Sequence, residues 1–224
     1  MRLVDGVYAL AETIEQEGRE ATIHPAVVET ARGLLLIDVG YAGELDQVAD
    51  ALAEHGHGLG DVWGVVVTHQ DGDHAGALAD LVDRVDPVVF AHADCAPYVD
   101  GRLDPIKGEG DRYPPVEVDV ELADGVRFDT AAGPMEVVYT PGHTPGHVSL
   151  LFETVKLLLA ADALTAPEGE LAGPSEEFTP DMAEAIESVG RLADHDVEET
   201  LCYHGGFVEE GTGSIARIWS ELAD

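Results

Sequence analysis

Four side chains able to bind a metal ion, His69, Asp71, Asp73 and His74, are crowded into the run Thr68-His69-Gln70-Asp71-Gly72-Asp73-His74. Imidazole nitrogens and carboxylate oxygens are the usual protein ligands for zinc, iron and manganese at hydrolytic sites. The alternation lets His69 and Asp71 point to one position while Asp73 and His74 turn to a second. Two ions held about 3.5–4 Å apart can share one hydroxide and direct it at an electrophile. The same run also suits a polar turn, since Asp-Gly-Asp is turn chemistry and Asp73 would cap a helix opening near His74.

Three later segments carry further candidates, each after an apolar stretch. Pro141-Gly142-His143-Thr144-Pro145-Gly146-His147 follows Met135-Glu136-Val137-Val138-Tyr139-Thr140. Asp162 closes Leu157-Leu158-Leu159-Ala160-Ala161, and His204 follows Thr200-Leu201-Cys202-Tyr203. The first run, His-x-Asp-x-Asp-His, resembles the His-x-His-x-Asp-His motif of the metallo-β-lactamase superfamily, with Asp71 where most of that family has its second histidine. The 140–147 segment is similar to the family's TPGHTPGH, and Gly33-Leu34-Leu35-Leu36-Ile37-Asp38-Val39-Gly40 to its early LIDTG strand and turn. The resemblance spans about residues 3 to 206.

That resemblance implies an α/β four-layer αββα sandwich formed as a single domain over residues 1–224. It implies one metal site from His69, Asp71 and His143, a second from Asp73, His74 and His204, and Asp162 bridging them, with Asp73 the candidate catalytic residue. The cofactors expected are two divalent ions, zinc first, with iron or manganese as alternatives. The function expected is metal-dependent hydrolysis of an ester, thioester or lactone bond in a small molecule by a metal-bridging hydroxide. Two other readings stay open: a di-iron oxidoreductase related to the flavodiiron proteins, which carry a carboxylate at the position of Asp71, and a metal-binding member without catalysis. With Asp71, two divalent ions against three carboxylates and a hydroxide leave the site formally neutral, and the harder ligand favours iron or manganese relative to zinc. Thr68 and Asp38 are expected to orient the ligand imidazoles. His147 is expected to support the fold, His92 to be structural, and His24, His55, His57 and His195 to lie at the surface.

Short apolar runs predict the strands that must present these residues: 4–10, 26–30, 34–39, 62–68, 88–91, 126–128, 135–139, 148–153, 156–160 and 200–203. Helical periodicity predicts helices over 43–55, 74–85, 179–194 and 213–222, the third opened by Thr179-Pro180-Asp181. Residues 100–117 and 165–177 read as irregular, and the second is the favoured substrate-facing wall. The chain of 224 residues carries 45 acidic against 11 basic residues, a net charge of −34, yet 45 % of it is hydrophobic. A well-patterned chain this acidic resembles proteins of halophilic archaea, because molar salt shortens the Debye length to about 3 Å and screens self-repulsion. A basic footprint for nucleic acid is missing. No long apolar segment suggests a membrane span, and the first residues lack the pattern of a signal peptide. Cys95 and Cys202 are expected as separate small core residues of a cytoplasmic protein.

Overall fold

The computed structural model describes residues 1–16, 19–107 and 112–223. Its elements in chain order are strands β1 (Arg2–Val4), β2 (Val7–Ala9), β3 (Glu12–Gln16), β4 (Arg19–Ile23), β5 (Ala26–Thr30) and β6 (Gly33–Ile37), helix α1 (Leu45–Glu54), and β7 (Val62–Val67). Next come α2 (Gly72–Ala75), α3 (Leu78–Val85), β8 (Val88–His92), α4 (Ala96–Val99), β9 (Val120–Leu122), β10 (Arg127–Thr130), β11 (Gly133–Tyr139), β12 (Val148–Phe152) and β13 (Leu157–Ala161). The chain closes with α5 (Met182–Ala193), β14 (Glu199–Cys202), β15 (Gly206–Val208) and α6 (Thr212–Ala223).

Seven strands make one sheet in the order β1-β2-β5-β6-β7-β8-β9, and six make a second in the order β10-β11-β12-β13-β14-β15. Apolar side chains of both sheets, among them Val28, Leu35, Val66, Met135, Leu150 and Phe152, interlock between them. The outer face of the first sheet packs on α1 and α3 through Leu36, Val65, Leu45, Val48, Leu78 and Leu81. The outer face of the second packs on α5 and α6 through Leu158, Ala160, Val189, Leu192, Ile215 and Ile218. This is the expected αββα layering. Strands β7, β12 and β13 are buried along most or all of their length because each face meets another layer, which explains their continuous apolar runs.

The departures from expectation are local. The strand expected over 4–10 is a hairpin, since Asp5-Gly6 turns the chain and Gly6 takes a positive φ of 76°. The β3–β4 hairpin, β9 and β15 carry too little apolar alternation to announce themselves. The helix expected over 74–85 is two helices broken at Gly76-Ala77. The expected cap at Thr179 is displaced to Asp181, whose carboxylate accepts the Glu184 N–H at 3.0 Å. Cys95 and Cys202 are buried and free, as anticipated. No helix among the described residues is long and apolar enough to cross a membrane.

Candidate metal centre

The site grows from the ends of parallel strands. β6 and β7 pair in parallel, so the residues after them emerge side by side at one edge of the sheet. Asp38, just after β6, has a positive φ of 59°, strained for a residue with a Cβ. That geometry turns its carboxylate back into the protein, where it is 1 % exposed. One oxygen accepts the Thr68 N–H at 2.7 Å; the other accepts the Thr68 hydroxyl at 2.7 Å and His74 Nδ1 at 2.8 Å. The Thr68 hydroxyl proton goes to Asp38, so its oxygen is free to accept from His69 Nδ1, 3.2 Å away. Both imidazoles therefore carry their proton on Nδ1 and turn the Nε2 lone pair toward the cleft, the arrangement that metal-binding histidines require. Asp71 occupies the N-cap of α2 without using its side chain as a cap, so the turn reading of this run does not consume its carboxylate.

The second sheet contributes the remaining candidates. His143 lies in the loop between β11 and β12, where Gly142, at φ 121°, lets the backbone of Ala185 in α5 approach too closely for any Cβ. His147, in the same loop, is fully buried and accepts the Asp162 N–H on Nε2 at 3.1 Å. Its Nδ1 then donates to Thr140 Oγ1 at 2.9 Å. The hydrogen bonds continue from Thr140 to Ser149 Oγ at 3.0 Å and on to the Ala160 carbonyl at 3.0 Å. His147 thus has no lone pair left for an ion and instead fixes Asp162. Ala161, at φ 48°, makes the strained bend that turns Asp162 off the end of β13. His204 follows β14, which runs parallel to β13.

All seven sequence candidates meet at this edge. His69 Nε2 lies 3.4 Å from Asp71 Oδ2 and 3.9 Å from Asp162 Oδ2. His143 Nε2 lies 3.1 and 3.2 Å from the same two atoms. On the other side His74 Nε2 is 3.4 Å from Asp162 Oδ1 and 3.9 Å from Asp73 Oδ2. His204 Nε2 is 3.1 Å from Asp73 Oδ2 and 3.4 Å from Asp162 Oδ2. Two groups result, His69–His143–Asp162 and Asp73–His74–His204, each with ligand atoms within 4.8 Å of one another. Asp162 reaches both.

Whether ions fit is decided by atoms left without partners. His69 Nε2, His74 Nε2, Asp71 Oδ1 and Asp162 Oδ1 are buried and make no hydrogen bond. Buried polar atoms almost always find partners, and three of these, His69 Nε2, His74 Nε2 and Asp162 Oδ1, face other ligand-type atoms of the cluster. Electrostatics point the same way. Burial opposes charge throughout, yet Asp162 and Asp73 are held below the ordinary carboxylate range by His74. His74 is raised in return against the cost of burial, chiefly by Asp162 and Asp38, and His204 is raised to about 9 by its hydrogen bonds to Asp162 and Asp73. The carboxylates demand positive charge, and protons on the imidazoles supply it where a cation would.

Four residues escaped the sequence reading. Lys107 brings its Nζ to 2.6 Å from Asp71 Oδ2 and 2.7 Å from His143 Nε2. An ammonium only donates, so both atoms accept from it. Only the lysine's rarity in this chain could have flagged it. Tyr203 stacks on His74 with ring centroids 3.6 Å apart, and its hydroxyl donates to the Asp73 carbonyl. Glu12, from β3, is buried under the turn at Gly40 and accepts the Tyr41 N–H at 3.1 Å; burial pushes its carboxyl up to about 7. His24, expected at the surface, is half-buried behind Tyr203, with Nδ1 3.2 Å from the Tyr203 carbonyl. His55, His57 and His195 are likewise half-buried, the first two packed on Tyr8. His92 stacks on Tyr139 with centroids 4.3 Å apart.

A cleft of about 450 Å³ opens over the cluster, lined by Asp71, Asp73, His143, Asp162 and His204 and walled by Tyr41, Lys107, Thr165, Pro174, Ser175 and Phe178. Both irregular segments therefore border it, the first through Lys107 and the second through Thr165, Pro174 and Ser175. Residues 108–111 of the first lie outside the described residues.

Comparison with known proteins agrees with this fold. A Bacillus subtilis (strain 168) protein named "Probable metallo-hydrolase YflN" is 30 % identical over 208 aligned positions, covering 76 % of this chain and 75 % of that protein. A hydroxyacylglutathione hydrolase of Ruegeria pomeroyi is 32 % identical; the match covers 79 % of this chain but 58 % of that protein. An N-acyl homoserine lactonase of a Bacillus species is 29 % identical over 76 % of this chain and 66 % of its own length. Among solved structures, a metallo-β-lactamase family protein of Thermus thermophilus superposes with a TM-score of 0.77 at 22 % identity, over 99 % of this chain and 81 % of that one. A metallo-β-lactamase from Pontibacter korlensis gives 0.79 at 17 % identity, over 100 % and 98 %; at such identities the likeness concerns the fold. The metallo-β-lactamase superfamily model matches residues 23–204, which with the fold and the 30 % relative makes this chain a member of the metallo-β-lactamase superfamily.

Proposed function

We propose that this protein is a single-domain, binuclear metal-dependent hydrolase that cleaves an ester, thioester or lactone bond of a small molecule. One observation supports the reading most: seven ligand-type side chains from four strand ends converge, and four of their atoms are buried without a partner. His69, Asp71 and His143 would hold one divalent ion, Asp73, His74 and His204 the other, and Asp162 both. Zinc is the first expectation for these nitrogen-rich sets, and Asp71 leaves room for iron or manganese. When bound, the ions would acidify a water and polarise the carbonyl under attack.

The protein's own groups do the rest. Asp38 and Thr68 keep both imidazoles in the Nδ1–H tautomer. His147 holds Asp162 in register with both sets. Asp73 faces the cleft and is half-buried, so its carboxylate is placed to take and return a proton during cleavage. Tyr41, Thr165 and Ser175 supply hydrogen-bonding groups along the walls, and Phe178, 59 % exposed, offers an apolar surface at the mouth. The names of two relatives, a hydroxyacylglutathione hydrolase and an N-acyl homoserine lactonase, support hydrolysis of an acyl compound.

The test is metal analysis of protein purified in molar salt, followed by a panel of esters, thioesters and lactones. We expect two ions per chain. Asp162→Ala should lower turnover by at least about 10³-fold, since it strips a ligand from both sets. A fully metallated protein inactive on the whole panel, but active in electron transfer when iron and a donor are supplied, would replace this reading with the oxidoreductase one.

A further inference from the structure

Lys107 is one of only two lysines in 224 residues, the other being Lys156. Lys156 lies at the surface, paired with Asp196 and Glu198. Lys107 is instead at the centre of the candidate site, and the fold secures it from both sides. The buried Gln70, between His69 and Asp71 in the motif, accepts the Ile106 N–H on its side-chain oxygen at 2.9 Å. The Gln70 main-chain carbonyl accepts the buried Tyr113 hydroxyl, also at 2.9 Å. The chain on each side of Lys107 is thus tied to the metal-ligand run itself. Arg112 donates to the Tyr98 and Leu103 carbonyls at 3.0 and 3.2 Å, which secures the same segment.

Lys107 is the one lysine or arginine among the described residues lining the 450 Å³ cleft, and with Arg112 it also borders a second hollow of about 740 Å³ that shares Tyr41, Asp71 and Asp73 with the first. With histidine at position 71 the loaded site would carry one more positive charge. Asp71 removes that charge, and an ammonium 2.6 Å away restores it. The restored charge differs from a ligand's in one respect. It sits on a four-carbon stem, offers three donors, and meets the cleft directly. An ion taken up by Asp71 and His143 competes for the two acceptors that now hold the ammonium, which leaves its donors to whatever enters the cleft.

Building on the hydrolase reading above, we propose that Lys107 is the anion-recognition residue of the cleft, and that the substrate is a small acyl compound bearing a carboxylate near the bond cleaved. The apolar part of such a substrate would lie along Pro174 and Phe178, which line the same cleft.

Monomethyl succinate and dimethyl succinate test this, being an anionic and a neutral ester of one acid. The proteins are metal-loaded wild type, Lys107→Met and Lys107→Arg, at one fixed salt concentration. Lys107→Met should lose about 10- to 100-fold in kcat/KM on the anionic ester, mostly through KM, as expected for one charged hydrogen bond. It should stay within about threefold of wild type on the neutral ester, and Lys107→Arg should recover part of the loss. Metal content should be unchanged in both variants. Succinate binding by calorimetry gives a readout without turnover: wild type should bind, and Lys107→Met should bind at least about tenfold more weakly. If neither ester is cleaved, calorimetry still decides on Lys107, and the hydrolase reading is decided separately by the panel of esters, thioesters and lactones. Equal loss on both esters, metal loss in Lys107→Met, or succinate binding unaffected by the substitution would overturn the proposal.

Discussion

At the residue scale the unusual feature is an exchange of charge. Asp71 stands where most of the family has a histidine, and Lys107 pairs with its carboxylate. Burial works against the Asp71 charge, but the electropositive surroundings, with the Lys107 ammonium at 2.6 Å, outweigh it and lower its pKa. A harder first site should discriminate less in favour of zinc than an imidazole set does. Asp71→His should therefore raise the ratio of zinc to manganese bound under equimolar competition by about tenfold. Metal analysis after gel filtration checks this. A ratio that is unchanged or lower would mean that Asp71 serves Lys107 and not the ion.

Strands and loops set the precision of the site. Asp162 bends off β13 at a left-handed alanine, and its N–H points at His147. The side chains of His147, Thr140 and Ser149 then carry a hydrogen-bonded row from Asp162 to the Ala160 carbonyl in the sheet. His147→Ala would leave the Asp162 N–H and the Thr140 hydroxyl without their buried partner. The expected cost is about 1–3 kcal/mol of stability in the metal-free protein, with weaker retention of both ions against a chelator. His147→Gln, whose amide oxygen can accept the same N–H, should recover part of each. Denaturant unfolding and dialysis against EDTA measure the two effects separately. Wild-type metal retention in a destabilised His147→Ala would show that Asp162 needs no such support.

For the whole molecule, charge dominates. Among the described residues the only buried carboxylates are Glu12, Asp38 and Asp162, so nearly all of the acidic surplus faces solvent around an apolar interior. At low ionic strength those charges repel across the surface and favour the expanded chain; salt screens them. The melting temperature should rise by at least about 5 °C between 0.1 M and 3 M potassium chloride, equivalent to roughly 1–2 kcal/mol for a chain of this size. A melting temperature that is flat or falls over that range would sink the high-salt reading of the composition.

The motifs and the family resemblance they carry supplied the layers and the seven candidate ligands. Strand-end carboxylates and histidines are visible because buried parallel strands must be continuous apolar runs, and the residues just after such a run emerge at the sheet edge. Periodicity likewise placed α1, α5 and α6 to within a few residues. The β3–β4 hairpin was hidden because its inward face, Glu12, Ile14, Ala21 and Ile23, carries a buried carboxylate at one end and too few apolar side chains to read as a period. Other features exist only in three dimensions. Lys107 stands 36 residues from Asp71, in a segment whose composition promises nothing but a loop. Its role depends on Gln70 binding that segment back to the motif, a contact between side chain and main chain that no local pattern encodes. The state of His147 is of the same kind: a histidine four residues after a ligand could itself be a ligand. Only the Asp162 N–H, delivered from the neighbouring strand by sheet pairing, claims the lone pair that an ion would need.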